Sequence, residues 1–247
     1  MHTPVIEVVS ETHGKPSVVR VLLVMQTFLY RYPRFGVWCY LIRSGKKVVV
    51  FDAGPRFSSL LGGKWGRDVD NTARILYALD RYFPDMPVSF IAASHYHFDH
   101  VENAPHLQQR LAKRQKTVPP IRLHTNEYEP KRFLHVFPHS LIRVFQQAGY
   151  SDWRLGKPIC DGERIAGSSY RFVHCPGHTS GNLALRSDIE KVFIGGYWAI
   201  PKQRVGILAR IITSFVDEST ACFPVTIRHM QGCESYRIAT YHPTLGR

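Results

Sequence analysis

"HYHFDH" occupies residues 95–100 and follows directly on the apolar run "VSFIAAS" at 88–94. Three imidazoles and a carboxylate therefore fall within six positions at the end of a buried segment. The run 88–93 has no polar alternation beyond Ser89, which is the pattern of a strand covered on both faces. Such a strand holds its end in a fixed place, so the motif reads as a built site rather than a histidine-rich surface loop. In an extended or tightly turned segment, residues i and i+2 project the same way. His95 and His97 are thus expected to grip one metal ion as a pair, with Asp99 continuing that side and His100 serving a second ion. Imidazole suits zinc, iron, nickel or copper, and the added carboxylate keeps zinc, iron and manganese in play.

The chain around the motif alternates strands and helices. Upstream, 5–9, 18–25, 37–43 and 47–52 are rich in β-branched and aromatic residues and bounded by turn formers, so they are expected strands. "RSGKK" at 43–47 reads as a hairpin connection, and the glycine-rich stretch 54–66 as a loop. Apolar residues at Ile75, Leu76, Leu79, Tyr82 and Phe83 have helical spacing, and Pro84 stops the helix expected over 68–83. Downstream, helices are expected over 103–115, 129–135 and 139–148, with a strand at 121–124. Strands at 169–175, 182–187 and 191–196, a helix at 214–232 and a last strand at 235–241 complete an α/β reading with sheets covered by helices.

Composition narrows the function classes. The chain has 247 residues, enough for a sizeable core, and no apolar run long enough to cross a bilayer. The N-terminal stretch lacks a basic region followed by an apolar core, so no secretory signal is visible. Five cysteines with no C-x-x-C pair argue against a disulfide framework, and a reducing cytoplasm is the simplest reading. The net charge of +13 favours encounter with anions, but the basic residues are dispersed. No aromatic-interleaved basic stripe is present, so a nucleic-acid partner is not expected; the charge reads first as a basic solvated surface, with an anionic small-molecule substrate as the alternative.

"SHYHFDH" resembles the signature loop of the metallo-β-lactamase-fold superfamily, and other segments agree in order. "VVVFDAGP" at 48–55 resembles the early strand ending in an Asp-x-Gly turn, and "FVHCPGHTSGNLAL" at 172–185 the Pro-Gly-His-Thr-x-Gly segment. "RIATYHP" at 237–243 resembles the terminal strand with its last histidine. The resemblance implies a single domain over 1–247 with a four-layer αββα sandwich, two β-sheets flanked by helices and the metal site at one edge between the sheets. By position it implies a first ion on His95, His97 and His178 and a second on Asp99, His100 and His242, most simply zinc, with iron or manganese as alternatives. Asp52 would accept the second N–H of a ligand histidine. Asp99 would also act catalytically, orienting the attacking water and accepting its proton.

The implied activity is hydrolysis of a small ester, lactone or thioester by a metal-activated hydroxide. "LHTNEYEPKR" at 123–132 is similar to the middle segment of the lactonase-like branch and offers Tyr128 as a substrate contact. One departure stands out. The family's bridging aspartate follows a glycine at a strand end, and here that place reads Gly195-Gly196. Two dications about 3.5–4 Å apart repel strongly without a bridging anion. A catalytically silent metal-binding protein, a phosphodiesterase or nuclease, and an iron redox protein on the same scaffold are the competing readings.

Overall fold

The computed structural model describes residues 4–24, 36–56, 70–128, 145–146, 149–176, 179–198 and 237–241. Two hairpins begin the chain. β1 (Ile6–Thr12) pairs antiparallel with β2 (Lys15–Val24), and β3 (Gly36–Ser44) with β4 (Lys47–Phe51). The second turn is the one expected at 43–47, with Gly45 at φ 60. The first extends the strands beyond their expected ends. His13 and Gly14 both take positive φ, 52 and 69, the geometry of a two-residue turn whose twist matches the flanking strands.

β5 (Val88–Ala92) then pairs parallel with β4, and β6 (Ile121–Arg122) parallel with β5, completing a six-stranded sheet in the order β1-β2-β3-β4-β5-β6. Between them run α1 (Asn71–Tyr82), α2 (Phe98–Val101) and α3 (Ala104–Gln115), and α4 (Thr125–Tyr128) follows β6. α1 starts later than its apolar spacing suggests because Asp70 caps it, accepting from the Ala73 N–H at 2.8 Å. The second sheet has four strands in the order β10-β9-β8-β7: β7 (Tyr170–His174), β8 (Leu183–Ser187), β9 (Val192–Trp198) and β10 (Arg237–Tyr241). β10 lies parallel to β9.

Side-chain alternation sorts these strands into two cores. One face of the large sheet (Val19, Val21, Cys39, Leu41, Val48, Val50, Ile91) packs on Ile75, Ala78 and Leu79 of α1 and on Leu107 and Leu111 of α3. The other face (Val18, Trp38, Tyr40, Ile42, Val49, Phe51) meets Phe172, Leu183, Leu185, Val192 and Ile194 of the small sheet. Phe172 sits 6.3 Å from Phe51 and 6.4 Å from Phe90, tilted ring on ring. Such pairs add about 0.5–1.5 kcal/mol each beyond area burial. On the small sheet's outer face, Cys175, Ala184 and Phe193 are also buried.

Far from the motif, Glu190 fastens the two sheets. Its carboxylate accepts from Ser17 Oγ at 2.7 Å and Tyr170 Oη at 3.0 Å, and from Ser169 Oγ. The helices expected at 129–135 and 214–232, and most of that at 139–148, lie outside the described residues. Among the described residues, no helix is long and apolar enough to cross a membrane.

Candidate metal centre

Parallel pairing of β4 with β5 sets Phe51 opposite Ala92, so the residues that follow each strand come together. Asp52 N–H donates to the Ala92 carbonyl at 2.9 Å, and Ser94 N–H donates back to Asp52 Oδ1 at 2.7 Å. Asp52 holds φ 64, a left-handed conformation that costs a non-glycine residue about 1–3 kcal/mol and persists only where its surroundings fix it. Gly54 completes the turn at φ 81, and a Cβ there would meet Leu23 Cδ1 at 2.4 Å. Its N–H donates to the His100 carbonyl at 3.0 Å, and its carbonyl accepts from Asn103 N–H at 2.9 Å. The Asp-x-Gly turn is thus sewn onto the histidine motif.

Side-chain contacts extend the same network. Asp52 Oδ2 lies 3.0 Å from Ser94 Oγ and 3.0 Å from His100 Nδ1, and Ser94 Oγ lies 2.9 Å from His95 Nδ1. One proton assignment satisfies all of these contacts. His95 Nδ1–H donates to Ser94, the Ser94 hydroxyl donates to Asp52, and His100 Nδ1–H donates to the same carboxylate. Both rings are then held through Nδ1, which leaves each Nε2 to face a metal, His100 giving up its Nε2 proton on binding, as a carboxylate–histidine–metal arrangement requires. His95, His100, Asp52 and Ser94 are all buried, and the His95 ring stands 4.2 Å from His100 and 4.6 Å from His97.

The backbone departs from the expected alternation after His97. His97 precedes α2 with φ −60 and ψ 143, and Asp99 then stands in that helix's first turn. Its placement follows from the helix rather than from i, i+2 spacing, since the His97 carbonyl captures the N–H groups of His100 and Val101. Asp99 Oδ2 lies 3.6 Å from His100 Nε2. Burial raises the Asp99 carboxyl above its usual range, against the lowering influence of His100. For His100, burial opposes the charge, but Asp99 and Asp52 outweigh it and push the imidazole up to about 9. In the metal-free chain the two acids hold this ring as a cation.

The Pro-Gly-His-Thr segment is tied to the second sheet by the described residues on either side of it. Its ends are closed by the Cys175 N–H donating to the Asn182 carbonyl at 2.8 Å, and Leu183 N–H donates to the Ser94 carbonyl at 2.8 Å. β8 therefore begins against the residue that precedes the histidine motif. His178 and His242 lie outside the described residues. Among the described residues, no group of three or more His, Cys, Asp or Glu side chains could hold a metal ion. The donor chemistry nevertheless fits a transition-metal ion, because the His97 and His100 rings flank that of His95 at 4.6 and 4.2 Å, and Nδ1 of His95 and of His100 is already held by Ser94 and Asp52. Both side-chain polar atoms of Asn182 are buried with no hydrogen-bond partner among the described residues.

Tyr128 is half-buried against the helix-side core, with its hydroxyl 3.4 Å from both Leu123 N and the Gly156 carbonyl. Burial raises its phenol above the ordinary value. Two neighbours of the motif escaped the sequence reading. Ser94 was signalled only by being a polar residue at the end of an apolar run. Glu127 stands beside Tyr128, is wholly buried, and carries hydrogen bonds from both loops of the site.

A family model described as the metallo-beta-lactamase superfamily matches residues 32–196. The chain belongs to the metallo-β-lactamase superfamily. Members of this superfamily are mostly metal-dependent hydrolases and typically bind zinc or iron. Solved structures share the superfamily's fold at low identity. A β-lactamase domain protein from Burkholderia ambifaria is 14% identical, with a TM-score of 0.56, over 94% of this chain and 70% of that one. An N-acyl homoserine lactone hydrolase with N-hexanoyl-L-homoserine at its catalytic metal centre is 20% identical, with a TM-score of 0.51, over 83% and 80%. A point mutant of B. thuringiensis AiiA, with N-decanoyl-L-homoserine bound at the active site, gives the same identity, score and coverage, 20%, 0.51, 83% and 80%. No curated protein matches this chain.

Proposed function

We propose that this chain is a metal-dependent hydrolase of a small ester, lactone or thioester, with His95, His97 and His178 holding one ion and Asp99, His100 and His242 forming a second, weaker site. The observation that carries this reading is the buried Asp52–Ser94–His95–His100 network, which orients imidazoles at the cost of a left-handed aspartate. A bound zinc or iron ion supplies a water of pKa about 7 in place of about 15.7 and polarises a carbonyl oxygen. The chain supplies the rest. Asp52 and Ser94 fix the ring nitrogens, and Asp99 orients the attacking water and accepts its proton.

The finer architecture belongs to the same proposal: helices cover the small sheet to complete an αββα sandwich, which the buried Cys175, Ala184 and Phe193 on its outer face support. Two of the solved neighbours hold N-acyl homoserines, which makes lactones the first substrates to try. The net charge of +13 suits an anionic acyl group. Gly196 favours one alternative, a member that binds metal and does not hydrolyse. A panel of aryl esters and γ-lactones, assayed with zinc-loaded wild type and with His97→Ala, tests both. Hydrolysis is expected in the wild type and its loss, together with the metal, in the variant. Full hydrolysis by His97→Ala contradicts the proposal, and metal retained by the wild type without turnover on any ester supports the alternative.

A further inference from the structure

Glu127 has no part in the reaction sketched above, yet its carboxylate lies at the junction of the two ligand-bearing loops. Tyr96 N–H donates to Oε2 at 2.8 Å, while Thr179 Oγ1 and Gly181 N–H both donate to Oε1 at 2.6 Å. Tyr96 separates His95 from His97, and Thr179 follows His178. A single side chain with no exposed surface therefore takes donors from chain segments 31 residues away on one side and 52 and 54 on the other. The approach is close-fitting. A Cβ on Gly181 would stand 2.7 Å from Glu127 Oε1 and 2.8 Å from its Cγ, so only glycine admits the carboxylate there.

We infer that Glu127 is a positioning residue that clamps the His95–His97 pair to the loop of His178 and so sets the spacing of the metal donors. The inference rests on the metal-hydrolase reading and extends it to a residue outside the proposed ligand set. The chemistry of the contacts is specific to a carboxylate. Tyr96, Thr179 and Gly181 all present donors to it, and an ionised carboxylate is an acceptor at both oxygens. A glutamine of the same shape must turn its NH₂ towards at least one of those donors. A carboxylate that merely fastens the fold is also present in this molecule: Glu190, remote from the site, with hydroxyl donors from both sheets.

The test is cobalt titration of the metal-free protein, read by visible absorption and by competition with a chelator, for wild type, Glu127→Gln, Thr179→Val and Glu190→Gln. Loss of a group bonded to a ligand itself typically weakens metal binding about 10–100-fold, and a clamp one residue away from the ligands is expected to act at the lower end of that range. Glu127→Gln is expected to show that loss with an altered cobalt spectrum while far-ultraviolet dichroism stays native. Thr179→Val is expected to shift both readouts in the same direction by less. Glu190→Gln is expected to lower the unfolding temperature and leave affinity and spectrum unchanged. Wild-type affinity and spectrum in Glu127→Gln overturn the inference, and if that variant does not fold, unchanged values in Thr179→Val overturn it instead. Wild type that binds no cobalt removes the hydrolase reading and this inference with it, whereas wild type that binds alongside unaffected variants removes this inference alone.

Discussion

β4 reaches the site with an acid and β9 does not, and the two strand ends are built accordingly. Asp52 leaves β4 in a left-handed turn, meets Ser94 and His100 through its carboxylate, and is backed by Gly54 packed on Leu23. β9 instead passes through Gly195 and Gly196 and continues to Trp198. Its register against β10 slips there: Thr240 faces Gly195, but Tyr241 faces Trp198. The two residues between, Gly196 and Tyr197, fall in this break of register, and the sequence resemblance sets the place of the bridging aspartate at Gly196. The β4 end is preorganised around imidazole, and on the sequence resemblance the β9 end would lack the anion that reconciles two dications. The comparison predicts one tightly held ion per chain.

The largest effect is expected at the acid end. Asp52→Ala leaves the His100 cation buried without its closest partner, a loss of about 3–5 kcal/mol of the kind seen when one member of a buried pair is removed. Chemical denaturation of the metal-free protein measures it, and an unchanged midpoint breaks the claim that Asp52 holds the site. Gly54→Ala should cost less, about 1–3 kcal/mol, because it strains a positive φ and drives a Cβ into Leu23. The same denaturation series ranks the two. At the other end, Gly196→Asp should raise metal content from about one to about two ions per chain, by restoring the bridging carboxylate of a two-metal site. Elemental analysis reads it, and an unchanged content would show that the second set of ligands is incomplete for another reason.

The smallest effect concerns a thiol near each end. Burial and the charge of Asp52 raise the Cys39 thiol well above its ordinary value, and burial with Asp161 pushes Cys175 up to about 12. Both stay protonated at pH 8, so a thiolate-selective reagent should label exposed Cys160 and leave them untouched in the native protein. Peptide mapping after labelling checks this. The sign for stability follows from the same shift. The unfolded Cys175 thiol ionises above pH 9.0 and the folded one only near 12, so its contribution to stability is full below pH 9.0 and declines across that interval.

Much of this was legible in the residues. β3 and β4 stand out because β-branched and aromatic residues crowd between turn formers, and Gly45 marks the turn between them. α1 can be read from its apolar spacing, and its start is corrected only by the cap at Asp70. The histidine motif announces itself by density and by the apolar strand before it. Less visible are residues whose role depends on pairing between distant segments. Ser94 matters because β4 and β5 run parallel in a particular register. Glu127 matters because two loops fold onto it, and its neighbour Tyr128 drew attention by its hydroxyl although that hydroxyl meets backbone atoms of Leu123 and Gly156. Glu190 looks like a turn acid, and only the stacking of two sheets gives it Ser17 and Tyr170 as partners. Periodicity carries no information about such contacts.

The central claim is that imidazoles from separate pieces of chain surround one cation. Zinc titration of the metal-free protein against a chelating indicator, run beside His178→Ala, tests it most directly. The account predicts one tightly bound ion in the wild type and affinity lower by more than about 100-fold in the variant, since a four-coordinate zinc site loses one of its protein donors. Equal affinity and stoichiometry in the two proteins would contradict it.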